Sequence, residues 1–370
     1  MDIQRIKSID IFRGLCMAWM VLNHIINWWI NSEYSWLHSI AIMIIDPIGA
    51  SGFLFISGVS VTLSYRKRMD RAKVSEDYNC RIIRNSYLFR AFFLFIIALI
   101  YNIPVAVVFK NPFMIWYWFI LLTAAVSLFL AWPLLKTPNY FRIFVTIAIL
   151  VLHFSLISWL PTFQGDSNIF GVLFHILYNG ITQDPILIFF PFFLIGTVIG
   201  NFLYDAINLN HKNNQKLIKL LILMLIMGIS LILTGILLKY PNFVKRESLS
   251  WVVYSFGIEI ALLSVLILLE NLNLLKAKRS YKLIFYYSYY SLTIYLVHNL
   301  VYFLFLNQLN LINIWFSAIA TFLSIGFIFR MIYKRWEAKA SLKAQITRIS
   351  LNITMRIENK LYQKYSKKSH

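Results

Sequence analysis

Residues 9–30 read IDIFRGLCMAWMVLNHIINWWI. A helix of roughly 20 mostly apolar residues crosses about 30 Å of hydrocarbon, so this stretch predicts a membrane span. Asp10, Arg13 and His24 interrupt it and no small-residue cleavage site follows, which argues against a removable leader. Nine further blocks of similar length and character follow. They run over Ser39–Tyr65, Ser86–Phe109, Met114–Leu135, Phe141–Leu160, Pro185–Ala206, Leu217–Leu238, Ser250–Glu270, Leu283–Leu306 and Asn313–Tyr333.

Composition agrees. Of 370 residues, 59% are hydrophobic and only 14% charged, with a mean hydropathy of +0.68. A soluble domain is about half apolar and a quarter charged, so a soluble enzyme, a disordered chain and a disulfide scaffold are excluded. The net charge of +20 could suggest nucleic acid, but lysine and arginine at span ends have a membrane explanation. With the N-terminus inside, only Lys110, Lys239, Lys245 and Arg246 of the 35 basic residues fall outside. The expected fold is therefore an all-α polytopic membrane protein of about ten spans, both termini cytoplasmic. Residues 1–333 form one membrane domain in this reading, and 334–370 a basic tail. Leu342, Ile346, Ile349, Ile353, Ile357 and Leu361 recur along that tail between basic residues, a pattern suited to an amphipathic helix on the inner leaflet.

Ionisable side chains inside a membrane are costly and mark function by default. Asp10, Arg13, Met17, Met20, His24 and Asn27 recur at three or four residues and form one face of the first span. Arg13 and His24 are separated by about 16 Å of helix rise. The second span opens with His38 and carries Asp46-Pro47, then Gly49, Gly52 and Gly58. The ninth places Ser288, Ser291, Tyr295, His298 and Tyr302 on one stripe; Glu259 sits midway along the eighth, and Asp184-Pro185 opens the sixth. His24, His38 and His298 fall at similar depth on the outer side, where imidazole suits general-base work. No metal-ligand spacing is present, with Cys16 and Cys80 the two cysteines, and no metal is expected.

Ser8-Ile9-Asp10-Ile11-Phe12-Arg13-Gly14, Gly52-Phe53-Leu54-Phe55-Ile56-Ser57-Gly58, Asp184-Pro185 with Gly196, and Ser291 through His298 stand in that order on four spans. Together they resemble the heparan-α-glucosaminide N-acetyltransferase family and its bacterial and archaeal relatives, in the transmembrane acyltransferase superfamily. The resemblance implies an acetyl-CoA co-substrate reached from the cytosol and a glycan acceptor on the far side. It also implies a catalytic histidine at the outer end of the second span, the place of His38, and Asn23-His24 straddles a position where the heparan enzyme has asparagine. The implied reaction moves acetyl to an amine or hydroxyl of a glycan or lipid-linked sugar, in a prokaryotic plasma membrane, with a homodimer left open.

On that basis His38 is the expected base, oriented by Asp46, with His298 and Asn23 donating to the oxyanion or the acceptor and His24 the rival base. Asp10, Arg13, Arg66, Lys67 and Arg68 are expected at the CoA phosphates, because guanidinium groups bind phosphate bidentately. Asn23, Ser291, Glu259 and Asp184 are the expected acceptor contacts. The rival class is a transporter of a polar solute gated by His24, Asp46 and Glu259, although no internal symmetry between halves is visible.

Overall fold

A computed structural model of the chain describes residues 6–73, 80–179, 183–208, 215–246, 248–274 and 282–366. Helices dominate the described residues: α1 (Lys7–Trp29), α2 (Ser35–Ile45), α3 (Ala50–Ala72), α4 (Cys80–Val108), α5 (Ile120–Leu134), α6 (Asn139–Leu156) and α7 (Ile169–Leu177) come first. They are followed by α8 (Ile186–Asn208), α9 (Gln215–Leu238), α10 (Leu249–Asn271), α11 (Lys282–Tyr289), α12 (Ser291–Val297), α13 (Asn313–Trp336) and α14 (Leu342–Ser366). The protein is a polytopic all-α membrane protein. Among the described residues eight helices are long and apolar enough to span: α1, α3, α4, α6, α8, α9, α10 and the one beginning at Asn313.

The other two expected spans are broken or short, each for a local reason. The fourth does not begin at Met114: residues Pro112–Trp116 form a 3-10 turn and Tyr117 and Phe119 are extended, so α5 keeps only 15 residues. Irregular backbone at membrane depth must find partners. Asn102 supplies them, its amide donating to the carbonyls of Ile115 (2.9 Å) and Tyr117 (2.8 Å). The ninth span divides into α11, α12 and a 3-10 stretch, His298–Leu304. There the His298 ring contacts the Tyr295 carbonyl, a group that a continuing α-helix would use for its own ladder.

The second span is also not one helix from Ser39. Pro47 lacks an N–H and its ring excludes the preceding helical carbonyl. Asp46–Ile48 accordingly makes a 3-10 turn, Gly49 N–H bonds the Asp46 carbonyl at 2.8 Å, and the long helix starts at Ala50. His38 therefore rides on the short α2 and not on a spanning helix.

The chain forms two compact units. The first comprises the described residues of Met1–Ser57 and Phe202–Lys343. Here α1 packs on α10, α11 and α13, and α9 lies against α10 so closely that small residues are required. A Cβ on Gly257 would sit 2.6 Å from the Ile232 nitrogen, and one on Gly235 2.7 Å from that of Tyr254. The N-terminus of α1 has no side-chain cap of its own. Glu270 of α10 provides it, accepting from the backbone N–H of Lys7 (2.9 Å) and Ser8 (2.8 Å) and from the Ser8 hydroxyl. An anion at a helix N-terminus satisfies free donors and the dipole together. Glu270→Ala should cost about 1–3 kcal/mol in unfolding by detergent-phase denaturation, and Glu270→Gln, which keeps one acceptor, about half of that. An unchanged transition in Glu270→Ala would show that the cap is idle.

The second unit comprises the described residues of Gly58–Asn201 and Ala344–His370. Its tail segment is not free at a surface. Ile346, Ser350 and Thr354 of α14 are buried, the two hydroxyls bonding back to carbonyls of their own helix at 2.7 and 2.8 Å. Glu358 accepts from the Asn85 amide at 3.1 Å and lies 3.9 Å from the Arg81 guanidinium, fixing the tail to α4. The packed face is thus offset from the expected apolar stripe, since Ile349 and Ile357 point outward; the Leu361 side chain lies outside the described residues.

Candidate active site

The polar face of α1 meets groups from α2, α10 and the 3-10 stretch after α12, all within the first unit. The His24 and His298 rings lie tilted against each other with centroids 5.1 Å apart, and Trp28 stacks on both, at 5.0 and 5.8 Å. Tyr302 sets its ring edge-on to Trp28 at 5.2 Å. His38 and Arg246 lie within electrostatic reach of His24. The sequence places these histidines at similar depth; the structure brings two of them into ring contact.

His298 is only 3% exposed. Its Nδ1 lies 2.5 Å from the Tyr295 carbonyl oxygen, which can only accept, so Nδ1 carries the proton. The neutral ring then presents a lone pair at Nε2, and that atom is buried without a hydrogen-bond partner. In this tautomer His298 accepts a proton or a hydrogen bond. It does not donate to an oxyanion, which changes the role expected from the sequence.

The same absence of partners recurs around it. His38 Nε2, Asn23 Oδ1 and both carboxyl oxygens of Glu259 are buried and unbonded. The Ser51 hydroxyl near Glu259 gives its proton to the Pro47 carbonyl at 3.1 Å, and Cys16 lies within electrostatic reach of the same carboxyl. An orphaned buried polar group costs about 1–3 kcal/mol, so several in one unit mark a place built for something other than stability.

Asp46 does not hydrogen-bond His38. Its Oδ2 pairs with Arg246 Nε at 3.3 Å, in a partly exposed ion pair that the sequence reading, which used Arg246 only for topology, did not anticipate. Asp46 still acts on His38 through its charge. Burial pulls the His38 imidazole below its ordinary value near 6.5, and the Asp46 carboxylate opposes that shift. At the other end of the α1 face, Asp10 accepts from Ser288 at 3.4 Å and lies 3.6 Å from the Arg13 guanidinium. Ser291 is buried at the start of α12.

The remaining sequence candidates belong to the second unit. Asp184 is held by its backbone, its N–H bonding the Trp118 carbonyl at 2.9 Å and its carbonyl accepting from Thr123. Arg66 donates to Asn201 at 3.2 Å, which in turn donates to Asn139 at 2.8 Å. Lys67 is half-buried, and Arg68 lines a small cavity among α3, α4 and α14. Among the described residues no group of three His, Cys, Asp or Glu is gathered as metal ligands.

Residues 5–233 match the family model for the catalytic region of heparan-alpha-glucosaminide N-acetyltransferase. The chain belongs to that family. A search of curated proteins finds no match. Membership makes the protein a membrane acetyltransferase. The residues matched to the acetyltransferase family include Asn23, His24, His38 and Asp46. Arg246 and His298, which join that cluster in space, lie beyond the matched stretch, as does Glu259. Sequence reasoning gave no site role to Trp28 or Arg246, and it placed Tyr302 on the His298 stripe without assigning it one. Trp28 had a readable signal, since it stands four residues after His24 on the same helical face.

Proposed function

We propose that this acetyltransferase carries acetyl from acetyl-CoA, reached from the cytosol, to an amine or hydroxyl of an extracytoplasmic glycan or lipid-linked sugar in a prokaryotic plasma membrane. A thioester is already activated, so the site must deprotonate the acceptor and stabilise a tetrahedral oxyanion. His38 takes the proton, being half-buried and electrostatically supported by Asp46. His298 Nε2 accepts a hydrogen bond from the acceptor and holds it for attack. The acceptor's nitrogen or oxygen bonds to the thioester carbon, the Asn23 amide donates to the oxyanion, and collapse breaks the carbon–sulfur bond. The proton on His38 then passes to the departing sulfur. His24 stacks on Trp28 and orients the cluster; Glu259 and Ser291 are assigned to the acceptor. Two sets of cations, each within its own unit, are assigned to the CoA phosphates: Arg13, anchored by Asp10, and the run Arg66, Lys67 and Arg68.

The observation that carries this reading is the set of buried atoms without partners: His38 Nε2, His298 Nε2 and the Glu259 carboxyl. The test is acetyl-CoA consumption by purified protein given a panel of amino sugars and lipid-linked sugars, alongside acetyl-CoA affinity. Arg13→Ala, or joint neutralisation of Arg66, Lys67 and Arg68, should weaken acetyl-CoA binding about tenfold or more, as loss of a charge-assisted phosphate contact implies. Wild-type protein that neither binds nor consumes acetyl-CoA would end the proposal.

A further inference from the structure

Arg246 reaches the histidine cluster from the loop ahead of α10, and a short turn fixes it there. Ser248 caps that helix, its hydroxyl accepting from the Trp251 N–H at 3.2 Å, while its own N–H bonds the Lys245 carbonyl at 3.1 Å. From the other side Pro47 ends α2, and the Asp46–Ile48 turn packs on α10. Two helix ends thus bring Arg246 Nε to 3.3 Å from Asp46 Oδ2, the side chains being 30% and 12% exposed. A pair this sheltered is screened less than one in open solvent. Asp46 therefore faces Arg246 in place of His38, and His38 Nε2 is left buried without a hydrogen-bond partner.

We infer, on the reading of His38 as the base, that Arg246 is a positioning residue: by pairing with Asp46 it keeps that carboxylate from bonding the imidazole and leaves the ring open to the acceptor's proton. A carboxylate bonded to His38 would stabilise the imidazolium, and the base would already carry a proton near neutral pH. Elements packed on α2 bring the other titratable groups. Helix α1 contributes His24, with His298 beyond it, and the 3-10 turn Ser32–Tyr34 contributes Glu33 and Tyr34. The charge that acts on His38 is that of Asp46. Removing the arginine should therefore be felt through Asp46.

Carbon NMR of ring-labelled histidine in the detergent-purified full chain reads this out, the His38 signal being assigned by its absence in His38→Gln. Arg246→Gln should raise the His38 titration midpoint by about one pH unit, as a carboxylate released to an imidazole implies, and the acidic limb of kcat/KM should follow it upward. Arg246→Lys should restore most of the wild-type midpoint, because the charge that holds Asp46 persists. Added to Asp46→Asn, Arg246→Gln should move the midpoint no further, since no carboxylate is left to release. Arg246→Met carries the same test if the glutamine variant misfolds. A wild-type midpoint in folded Arg246→Gln overturns the inference. So does an equal upward shift in the Asp46→Asn background, which would mean direct repulsion by the cation. The titration needs no acetyl transfer, so its failure is distinct from the failure of His38 as base, which shows instead as wild-type turnover by His38→Ala.

Discussion

His38→Ala should lower acetyl transfer by about 10²–10⁴-fold, the usual loss with a general base, while leaving acetyl-CoA affinity close to wild type. The pH profile gives an independent reading. Burial holds His38 below its ordinary value near 6.5, with the Asp46 charge pulling the other way. A base works unprotonated, so kcat/KM should be flat at neutral pH and fall as pH drops through that lowered value. Asp46→Asn removes the opposing charge and should move the acidic limb lower still. His298→Ala should cost less if its Nε2 only holds the acceptor, and its loss should raise KM for the acceptor more than it lowers kcat. A folded His38→Ala protein turning over at the wild-type rate, beside an inactive His298→Ala, would transfer the base to the ring whose tautomer the Tyr295 carbonyl fixes.

Much of this was legible because membranes simplify the code. A stretch such as 9–30 admits one structure, and the spacing of Asp10, Arg13 and His24, three and then eleven residues, fixes their shared face. What failed to show was how elements end. Asp46-Pro47-Ile48-Gly49 lies inside an apolar block, so hydropathy reads through a break that proline makes unavoidable. His298 reads as one more polar residue on a stripe, because its contact with Tyr295 depends on a backbone that stops being α-helical there. Pairings across long separations were invisible too. Glu270 lies 262 residues from Ser8, and nothing in either local sequence announces that one caps the other. Arg246 illustrates the same limit: counted by position it is a loop cation, while in space it is the partner of Asp46.

Arg142 shows how such a pairing can decide stability, and Arg142→Ala should be the most damaging single change in the second unit. Helix α5 is too short to span and ends with carbonyls that have no helical donors. Arg142, 2% exposed on the first turn of α6, collects them: Nε donates to Leu134 at 2.8 Å, and Nη2 to Leu135 at 2.7 Å and Thr137 at 2.9 Å. Nη1 reaches the Thr197 carbonyl of α8 at 3.4 Å. A cation at this end also complements the helix dipole. Alanine removes the guanidinium from all four carbonyls and leaves Leu134 only the Thr137 N–H (3.0 Å) and hydroxyl (2.8 Å), and about 3–5 kcal/mol of stability should be lost. Arg142→Lys should recover only part, because a single ammonium cannot reproduce the planar fork. Thr146→Ala is the control. It lies one turn on, bonds only the Arg142 carbonyl at 2.8 Å, and should cost less than about 1 kcal/mol. Unfolding in mixed micelles, followed by tryptophan fluorescence, measures all three. An Arg142→Ala transition matching that of Thr146→Ala would show that α5 holds its end through apolar packing alone, with the guanidinium a passenger.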